Sequence, residues 1–466
     1  MTADDEPLFT RAASLGAHHR ATVGDRPVQA PQSSHDLEAA FGGRLADAGV
    51  EPEAVLEELA AAAGPGLMGT VGPRYFGFVI GGSSPASAAA DILAIGWDQC
   101  AYSEALSPAA AAAERAAGSW AKELMGLPTE ASVGFVTGAQ AANTVGLAVG
   151  RRHVLAAAGW DLDVDGLAGS PGVRVVASVE RHATIDRAVK LLGLGTASVV
   201  PVAATDQGAV DVAALAAALA ANPGQPTIVS LQAGNVNTGA VDDFEAAIPL
   251  ARENGAWVHV DGAFGLWAGA SSATRHLVAG VEAADSWGVD AHKWLNVPYD
   301  CGLAICRHPA EHAAAVSYSA AYLTGSGATG DFVLGDLTPE SSRRARGFAV
   351  WAALRELGKD GVAALVERSC ARARRFADAL VAGGARVHND VVLNQVLVDI
   401  EGIDTDALVA AIQNEGTCWV GATTWHDLRL MRISVSNATT TDTDVDLSVA
   451  AILRAASLLA GSTRQE

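Results

Sequence analysis

The fold is decided by two neighbouring stretches, WVHVDGAFGLWAG at residues 257–269 and DSWGVDAHKWLNVPYDCGLAICR at residues 285–307. In the first stretch an apolar strand-like run ends at Asp261 and turns at Gly262. In the second stretch Lys293 lies just before another strand-like run. Polar groups that follow buried strands are typical of a sheet that binds its ligand at one edge.

The chain on either side of these stretches alternates between strand-like and helix-like patterns. The predicted elements are strands at 133–136, 173–177, 198–202, 227–231 and 257–260, and helices at 139–156, 183–192, 210–221 and 242–253. This order predicts an α/β fold with a mostly parallel sheet and helices on both faces. Residues 385–460 follow the pattern strand, strand, helix, strand, strand, helix, which predicts a small C-terminal α/β domain.

Charge and composition exclude several classes of partner. The 466 residues include 52 Asp and Glu against 31 Lys and Arg, a net charge of -21. This balance disfavours nucleic acid and anionic membrane surfaces as partners. The first seven residues carry three acids where a secretory signal needs a basic start and an apolar core. We therefore expect a cytoplasmic protein without a membrane partner.

The cysteines and lysines narrow the possible chemistry. The five cysteines are scattered without metal-ligand spacing, so we expect reduced thiols and no metal site. Lysine is rare, and the candidates for lysine chemistry are Lys122, Lys190, Lys293 and Lys359. Lys293 follows His292 and comes some thirty residues after the strand-end acid Asp261, whereas the other three are expected on the surface.

An acid at a strand end and a flanked lysine in a lysine-poor chain predict pyridoxal phosphate as the cofactor. This cofactor needs a lysine amine for its Schiff base. It also needs a carboxylate that keeps the pyridine nitrogen protonated, so that the ring can accept electrons from a substrate carbanion. Lys293 and Asp261 are the predicted pair.

The same stretch resembles the group II pyridoxal-phosphate-dependent decarboxylases, the relatives of aromatic amino-acid, glutamate and histidine decarboxylases. The resemblance rests on His-x-Asp-x-Ala at 259–263, on the His292-Lys293 pair and on Asp300-Cys301, and it runs from about residue 73 to residue 437. It implies the fold-type I architecture of pyridoxal-phosphate-dependent transferases. That architecture has a mostly parallel seven-stranded sheet with helices on both faces and a small C-terminal α/β domain.

The resemblance implies roles for single residues. Lys293 would form the Schiff base and Asp261 would pair with the ring nitrogen. Ala263 would lie under the ring, and His182 would stack on it. His292 would lie near the phosphate.

A phosphate site is predicted at residues 136–143, VTGAQAAN, which follow a strand and open a helix. Backbone N–H groups converge on an anion at such a position. Gly138, Ala139 and Gln140 are the predicted contacts, through the backbone, since relatives often carry Gly-Ser-Glu at 139–141. Asn235, in the turn at 234–240, is predicted to contact the phosphate or another cofactor oxygen.

Two segments bear on the substrate. Residues 73–80 match a segment that lines the pocket in relatives, and Val79 and Ile80 stand where the aromatic branch has aromatic side chains. This argues against a substrate like dihydroxyphenylalanine. Arg432 matches a basic strand position, where it would either bind a carboxylate or brace a loop.

Residues 317–342 break the periodicity and are predicted to form a mobile catalytic loop. In decarboxylating relatives a tyrosine of this loop, from the neighbouring subunit, protonates the substrate carbon. Alignment places Phe332 closest to that tyrosine, and phenylalanine has no proton to donate. Either Tyr318, Tyr322 or His182 then supplies the proton, or the carbanion survives long enough to meet oxygen.

The predicted function is α-decarboxylation of a small-molecule L-amino acid to its amine and carbon dioxide. The alternatives are an oxidative decarboxylase, or aldehyde synthase, then an aminotransferase, and last a protein that binds the cofactor without catalysis. The predicted segments are an N-terminal arm at 1–70, a large cofactor domain at 71–316, the loop at 317–342 and a small domain at 343–466. The apolar helix faces of the arm and the resemblance predict a homodimer with active sites at the interface.

Overall fold

The computed structural model describes residues 5–318 and 333–463. The chain forms two compact units. The large unit contains residues 81–374 and 389–396, and the small unit contains the described parts of 1–80, 375–388 and 397–466. The four-segment division proposed from the sequence stays a prediction.

Helices account for much of the described chain. Their bounds are α1 Glu6–Thr22, α2 Ser34–Phe41, α3 Pro52–Ala63, α4 Pro85–Trp97, α5 Pro108–Met125, α6 Ala139–Ala157, α7 Leu162–Asp165, α8 Ala183–Leu191, α9 Val212–Ala220, α10 Phe244–Glu253, α11 Pro309–Val316, α12 Gly347–Ala382, α13 Thr405–Glu415 and α14 Asp442–Thr463. Within these described residues, we find no helix with the length and apolar character needed to cross a bilayer.

The large unit is built on a seven-stranded sheet with the strand order β1-β7-β6-β5-β4-β2-β3. Its strands are β1 Ser132–Val136, β2 Arg174–Ser178, β3 Val199–Val202, β4 Thr227–Gln232, β5 Trp257–Asp261, β6 Ser286–Asp290 and β7 Gly302–Cys306. Strand β7 runs antiparallel to both of its neighbours, and the other pairings are parallel. The predicted mostly parallel seven-stranded sheet is confirmed.

Burial explains why the strand pattern was readable in the sequence. Strands β2, β4, β5, β6 and β7 are buried along their whole length. Parallel strands covered on both faces carry nearly continuous apolar runs, which is what the sequence shows at β2, β4 and β5. Strand β6 was not predicted, because Ser286, Gly288 and Asp290 interrupt its apolar pattern.

Helix α6 packs directly on the middle of this sheet because glycines face the strands. A Cβ atom on Gly150 would lie 2.7 Å from Cδ1 of Trp257 in β5. A Cβ atom on Gly146 would overlap the His259 ring. The missing side chains let the helix backbone approach the buried polar groups of β5 and β6.

The small unit contains a four-stranded sheet with the order β10-β11-β9-β8. Its strands are β8 Ala385–Val387, β9 Gln395–Ile400, β10 Gly421–Trp425 and β11 Leu428–Ser434. Helix α13 lies between β9 and β10 in the chain, and α14 follows β11, so the predicted order of elements over 385–460 is confirmed. The helix break predicted at Gly358 is present inside α12, where Gly358 has a φ of 61°.

The lysines differ in one respect from expectation. Lys122 is buried, and its ammonium group donates hydrogen bonds to the backbone oxygens of Thr129 and Ala131. The expectation that Lys122 lies on the surface is therefore wrong, since its carbonyl partners replace water. Lys190 is exposed, and Lys359 forms an exposed ion pair with Glu123.

Candidate active site

The residues predicted to form the site follow the carboxyl ends of strands at one edge of the large sheet. Parallel pairing brings the ends of β2, β4, β5 and β6 to this edge, and antiparallel β7 begins there and pairs at Gly302 with both Val136 and Asp290. The predicted residues on this edge are Gly138, Ala139 and Gln140 after β1, His182 after β2, Asn235 after β4, Asp261 at the end of β5, Ala263 after it, and His292 and Lys293 after β6.

Asp261 is the last residue of β5 and is 4% exposed. One carboxylate oxygen, Oδ1, accepts a hydrogen bond from the backbone N–H of Ala263 at 3.2 Å. The other, Oδ2, accepts from the Thr184 hydroxyl at 3.3 Å. These two bonds orient the carboxylate on both sides.

His182 caps the N-terminus of helix α8. Its ring nitrogen Nδ1 accepts a hydrogen bond from the backbone N–H of Thr184 at 3.2 Å. A ring nitrogen that accepts carries no hydrogen, so the hydrogen of the neutral ring lies on Nε2. The Thr184 hydroxyl lies 3.0 Å from Nδ1 as well, and Thr184 therefore joins His182 to Asp261.

Lys293 is held by a buried acid. Its Nζ lies 2.9 Å from Oδ2 of Asp290, the last residue of β6, and the lysine side chain is 23% exposed. The other oxygen of Asp290, Oδ1, accepts from the backbone N–H of Ala139 at 2.5 Å. Asp290 thus ties the lysine amine to the start of helix α6.

His292 also faces Asp290, with 3.3 Å between Nε2 and Oδ1. The backbone N–H of Cys301 donates to its Nδ1 at 3.1 Å, so the ring hydrogen lies on Nε2 and points at Asp290. Burial lowers the pKa of His292 more than the Asp290 carboxylate raises it. The contact is therefore a hydrogen bond from a neutral ring.

The start of helix α6 is shaped around these side chains. A Cβ atom on Gly138 would lie 2.9 Å from Cε1 of His292 and 3.1 Å from Oδ1 of Asp290, so only glycine fits there. The Gln140 side chain donates to the backbone oxygen of Thr184 at 3.2 Å. The first N–H groups of a helix have no partner inside it, and those beyond Ala139 can donate to an anion. The contacts of Gly138, Ala139 and Gln140 with a phosphate stay predictions.

The side chain of Asn235 holds its own turn. Its Nδ2 donates to the backbone oxygen of Glu180 at 3.1 Å, and its Oδ1 accepts from the backbone N–H groups of Asn237 and Thr238. The residue is 1% exposed. A direct contact of Asn235 with the cofactor stays a prediction.

The other predicted residues belong to segment 317–342 or to the small unit. Tyr322 and Phe332 lie outside the described residues. Tyr318 is described, and its hydroxyl lies 2.8 Å from Oγ of Ser341. Val79 and Arg432 belong to the small unit, where Val79 is buried and burial lowers the pKa of Arg432. Their substrate contacts stay predictions.

Sequence reasoning missed Asp290 and Thr184. Asp290 ends a buried strand in the same way as Asp261, and that signal could have found it. Thr184 carries no such signal, because its contact with Asp261 joins positions 77 residues apart.

The side chains and backbone groups at this edge fit pyridoxal phosphate. Lys293 offers an amine for the aldehyde, and Asp261 offers a carboxylate for the ring nitrogen. Helix α6 offers backbone donors for the phosphate beyond Ala139. Over residues 5–318 and 333–463 we find no group of three or more His, Cys, Asp or Glu side chains that could bind a metal ion.

Comparison with known proteins points to the same cofactor. A family model described as the pyridoxal-dependent decarboxylase conserved domain matches residues 39–397. Tryptophan decarboxylase 1 of Oryza sativa subsp. japonica is 29% identical over 366 residues, which cover 74% of this chain and 70% of that protein. A crystal structure of Oryza sativa TDC with PLP and tryptamine superposes with a TM-score of 0.90 at 23% identity, over 98% of this chain and 99% of that one.

An aldehyde-forming protein is also similar. Phenylacetaldehyde synthase of a Rosa hybrid cultivar is 26% identical over 306 residues, which cover 63% of this chain and 59% of that protein. Similarity to this chain thus extends from decarboxylases to an aldehyde synthase.

We predict that Asp290→Ala lowers the free energy of unfolding of the cofactor-free protein by about 2–4 kcal/mol, because it leaves Lys293 unpaired and removes the acceptor of the Ala139 N–H. Asp290→Asn keeps an oxygen for Ala139 and should lose roughly half as much. Denaturant unfolding at neutral pH measures both values. Equal losses in the two variants would show that Asp290 does not hold the start of α6.

Proposed function

The chain belongs to the pyridoxal-dependent decarboxylase family, and we propose that Lys293, Asp261 and His182 form its catalytic centre for α-decarboxylation of an L-amino acid. As a family member it is a pyridoxal-phosphate-dependent amino-acid decarboxylase, a carboxy-lyase. One observation carries the assignment of residues. Asp261 ends strand β5, and the Asp290-bound Lys293 follows the carboxyl end of the neighbouring strand β6.

Each residue of the centre has a distinct task. Pyridoxal phosphate, when bound, supplies an electron sink for the electron pair that remains when carbon dioxide leaves. Lys293 would hold the cofactor through Nζ, and Asp261 would bind the protonated ring nitrogen. The start of α6 would bind the phosphate, and His182 would pack on the ring.

A proton must then reach the substrate carbon that lost its carboxylate, and a donor has to lie within about 3 Å of it. Nε2 of His182 carries a hydrogen in the tautomer imposed by Thr184. In segment 317–342 the structure describes Tyr318, whose hydroxyl is a second candidate donor. We propose that this segment forms the catalytic loop and that Tyr318, Tyr322 or His182 donates the proton.

We predict that Lys293→Ala abolishes both amine formation and the visible absorption of the bound cofactor, because the variant lacks the amine that holds it. Lys190→Ala is the matched control, since Lys190 is an exposed lysine on α8. Mass detection of products over the common amino acids, with absorbance of the purified proteins, measures the effect. Retained visible absorption and turnover in Lys293→Ala would contradict the assignment.

A second outcome is favoured by one sequence position. By the family resemblance, Phe332 stands closest to the tyrosine that protonates the substrate carbon in decarboxylating relatives. Without that proton, oxygen can capture the carbanion, and hydrolysis by one water molecule then gives an aldehyde, ammonia, carbon dioxide and hydrogen peroxide. We place amine formation first, because other donors are present in the same segment.

We therefore predict amine and carbon dioxide with no oxygen uptake during turnover. An oxygen electrode and product analysis by mass detection test this in one reaction. Oxygen uptake equal to the aldehyde formed would replace the decarboxylase by the aldehyde synthase. In that case Phe332→Tyr should shift the products toward the amine, because it restores a proton donor.

We also propose a homodimer with active sites at its interface. Helix α4 exposes large apolar side chains, each about half exposed, at Ile92, Leu93, Ile95 and Trp97. Monomeric proteins rarely leave a contiguous apolar patch of this kind uncovered. A second copy of this chain is the partner that the apolar arm and the family resemblance favour.

We predict that the purified protein is a dimer by light scattering at micromolar concentration. Ile95→Asp should produce monomers, because a charge would be buried at the interface without a partner. Leu458→Asp, at a residue of α14 that is 74% exposed, is the control and should stay dimeric. Full activity of a monomer would contradict active sites at the interface.

The cytoplasm is the compartment that we propose for this enzyme. Four of the five cysteines are buried, and each of the five is a free thiol. Burial raises the pKa of Cys306 and Cys370 to about 12, which keeps these two thiols protonated. Unpaired thiols are typical of a reducing compartment.

A further inference from the structure

A continuous chain of side-chain hydrogen bonds runs through the core of the large unit and ends on Asp261. We call it the β5–α6 hydrogen-bond chain. Its members, in spatial order, are Trp257, Ser286, His259, Asn143, Thr184 and Asp261. Trp257, His259 and Asp261 alternate along β5 and therefore lie on one face of the sheet.

The distances are those of hydrogen bonds at every link. Trp257 Nε1 lies 3.0 Å from Ser286 Oγ, and Ser286 Oγ lies 2.9 Å from Nδ1 of His259. Nε2 of His259 lies 3.1 Å from Oδ1 of Asn143. The last two links, Asn143 Nδ2 to Thr184 Oγ1 and Thr184 Oγ1 to Asp261 Oδ2, measure 3.2 and 3.3 Å.

The chemistry of the two ends gives the chain one direction. The indole N–H of Trp257 can only donate, and an ionised carboxylate such as Asp261 can only accept. Each group between them accepts one hydrogen bond from the preceding member and donates one to the following member. Ser286 thus donates to Nδ1 of His259, and His259 carries its hydrogen on Nε2.

The middle of this chain is shielded from solvent and closely packed. Ser286, His259 and Asn143 are fully buried. Burial lowers the pKa of His259 to about 3, so the ring is neutral at physiological pH. A side chain at Gly146 would overlap His259, and one at Gly288 would overlap the Asn143 oxygen, so glycine at both positions leaves room for the links.

We propose that the β5–α6 hydrogen-bond chain positions Asp261 by fixing His259 in the neutral Nε2–H form and presenting the Thr184 hydroxyl hydrogen to Asp261 Oδ2. The hydrogen bond that Oδ2 receives fixes the orientation of the carboxylate. Asp261 is then held ready to pair with a protonated ring nitrogen, a consequence that rests on the proposed function. Thr184 and Asn143 are positioning residues, since they act through Asp261.

The Thr184 hydroxyl has one hydrogen and lies near two acceptors, Nδ1 of His182 at 3.0 Å and Oδ2 of Asp261 at 3.3 Å. A carboxylate is the stronger acceptor of the two, because hydrogen bonds to a charged group are stronger than those between neutral groups. When the Thr184 hydroxyl donates to Asp261, Nδ1 of His182 keeps the backbone N–H of Thr184 as its donor. The hydrogen of His182 then stays on Nε2. Thr184 thus contacts both predicted cofactor partners, His182 through its backbone N–H and Asp261 through its hydroxyl.

The tautomer of His259 is tested directly by nitrogen-15 NMR of the full-length protein, histidine-labelled and freed of cofactor, with the signal assigned by its loss in His259→Gln. The chain requires the Nε2–H tautomer at pH 7 and a ring that is still neutral at pH 5. The Nδ1–H tautomer would reverse the chain and overturn the inference, and so would a cationic ring at pH 5. This result does not depend on whether the enzyme decarboxylates amino acids.

The effect on Asp261 is tested by the dissociation constant of pyridoxal phosphate. Thr184→Val has the shape of threonine without the hydroxyl, and it should raise the constant about tenfold, as expected for loss of one hydrogen bond to a charged group. Thr184→Ser keeps the hydroxyl and should stay within about twofold. Equal constants in the two variants would overturn the positioning role.

Asn143→Asp tests the coupling between the links. An aspartate accepts from His259 but cannot donate to Thr184, so the Thr184 hydroxyl would turn away from Asp261. The single variants should each weaken binding about tenfold, and Asn143→Asp with Thr184→Val should weaken it about tenfold rather than a hundredfold. Additive effects would contradict a shared chain. If Asn143→Asp does not fold, the NMR result and the Thr184 pair decide alone.

Discussion

The close packing of helix α6 on strands β5 and β6 is the constraint on which the rest of the site depends. Glycines at positions 146 and 150 of the helix, and at 288 of β6, remove the side chains that would separate the backbones. Protein interiors are close-packed, so a side chain at any of these three positions would have no free space to occupy. The close approach of the α6 backbone to these strands brings Asn143 within hydrogen-bond reach of His259 and places Ala139 against Asp290.

Two buried carboxylates, both at strand ends, make different contacts at this edge. Asp261 receives hydrogen bonds from Thr184 and Ala263, which orient it without neutralising it. Asp290 faces a lysine amine and a helix N-terminus, where a negative charge is stabilised. Because their surroundings differ, Asp261 can pair with the ring nitrogen while Asp290 anchors Lys293.

Much of this arrangement was predictable from sequence, because the buried parallel strands at β2, β4 and β5 carry continuous apolar runs. Asp261 stood out because it ends such a run. Lys293 stood out because lysine is rare in this chain. Thr184 could not be found this way, since its hydroxyl matters only once the start of α8 lies within hydrogen-bond reach of the end of β5. Lys122 was misjudged because backbone oxygens, which the sequence does not reveal, satisfy its charge.

Peptide mapping after borohydride reduction tests the central claim most directly, that this edge holds pyridoxal phosphate through Lys293. Reduction fixes the cofactor to whichever amine holds it, and mass spectrometry of the digest identifies that residue. The account predicts the modification on the peptide that contains Lys293 and on no other lysine peptide. Modification of Lys122, Lys190 or Lys359 in place of Lys293 would contradict it.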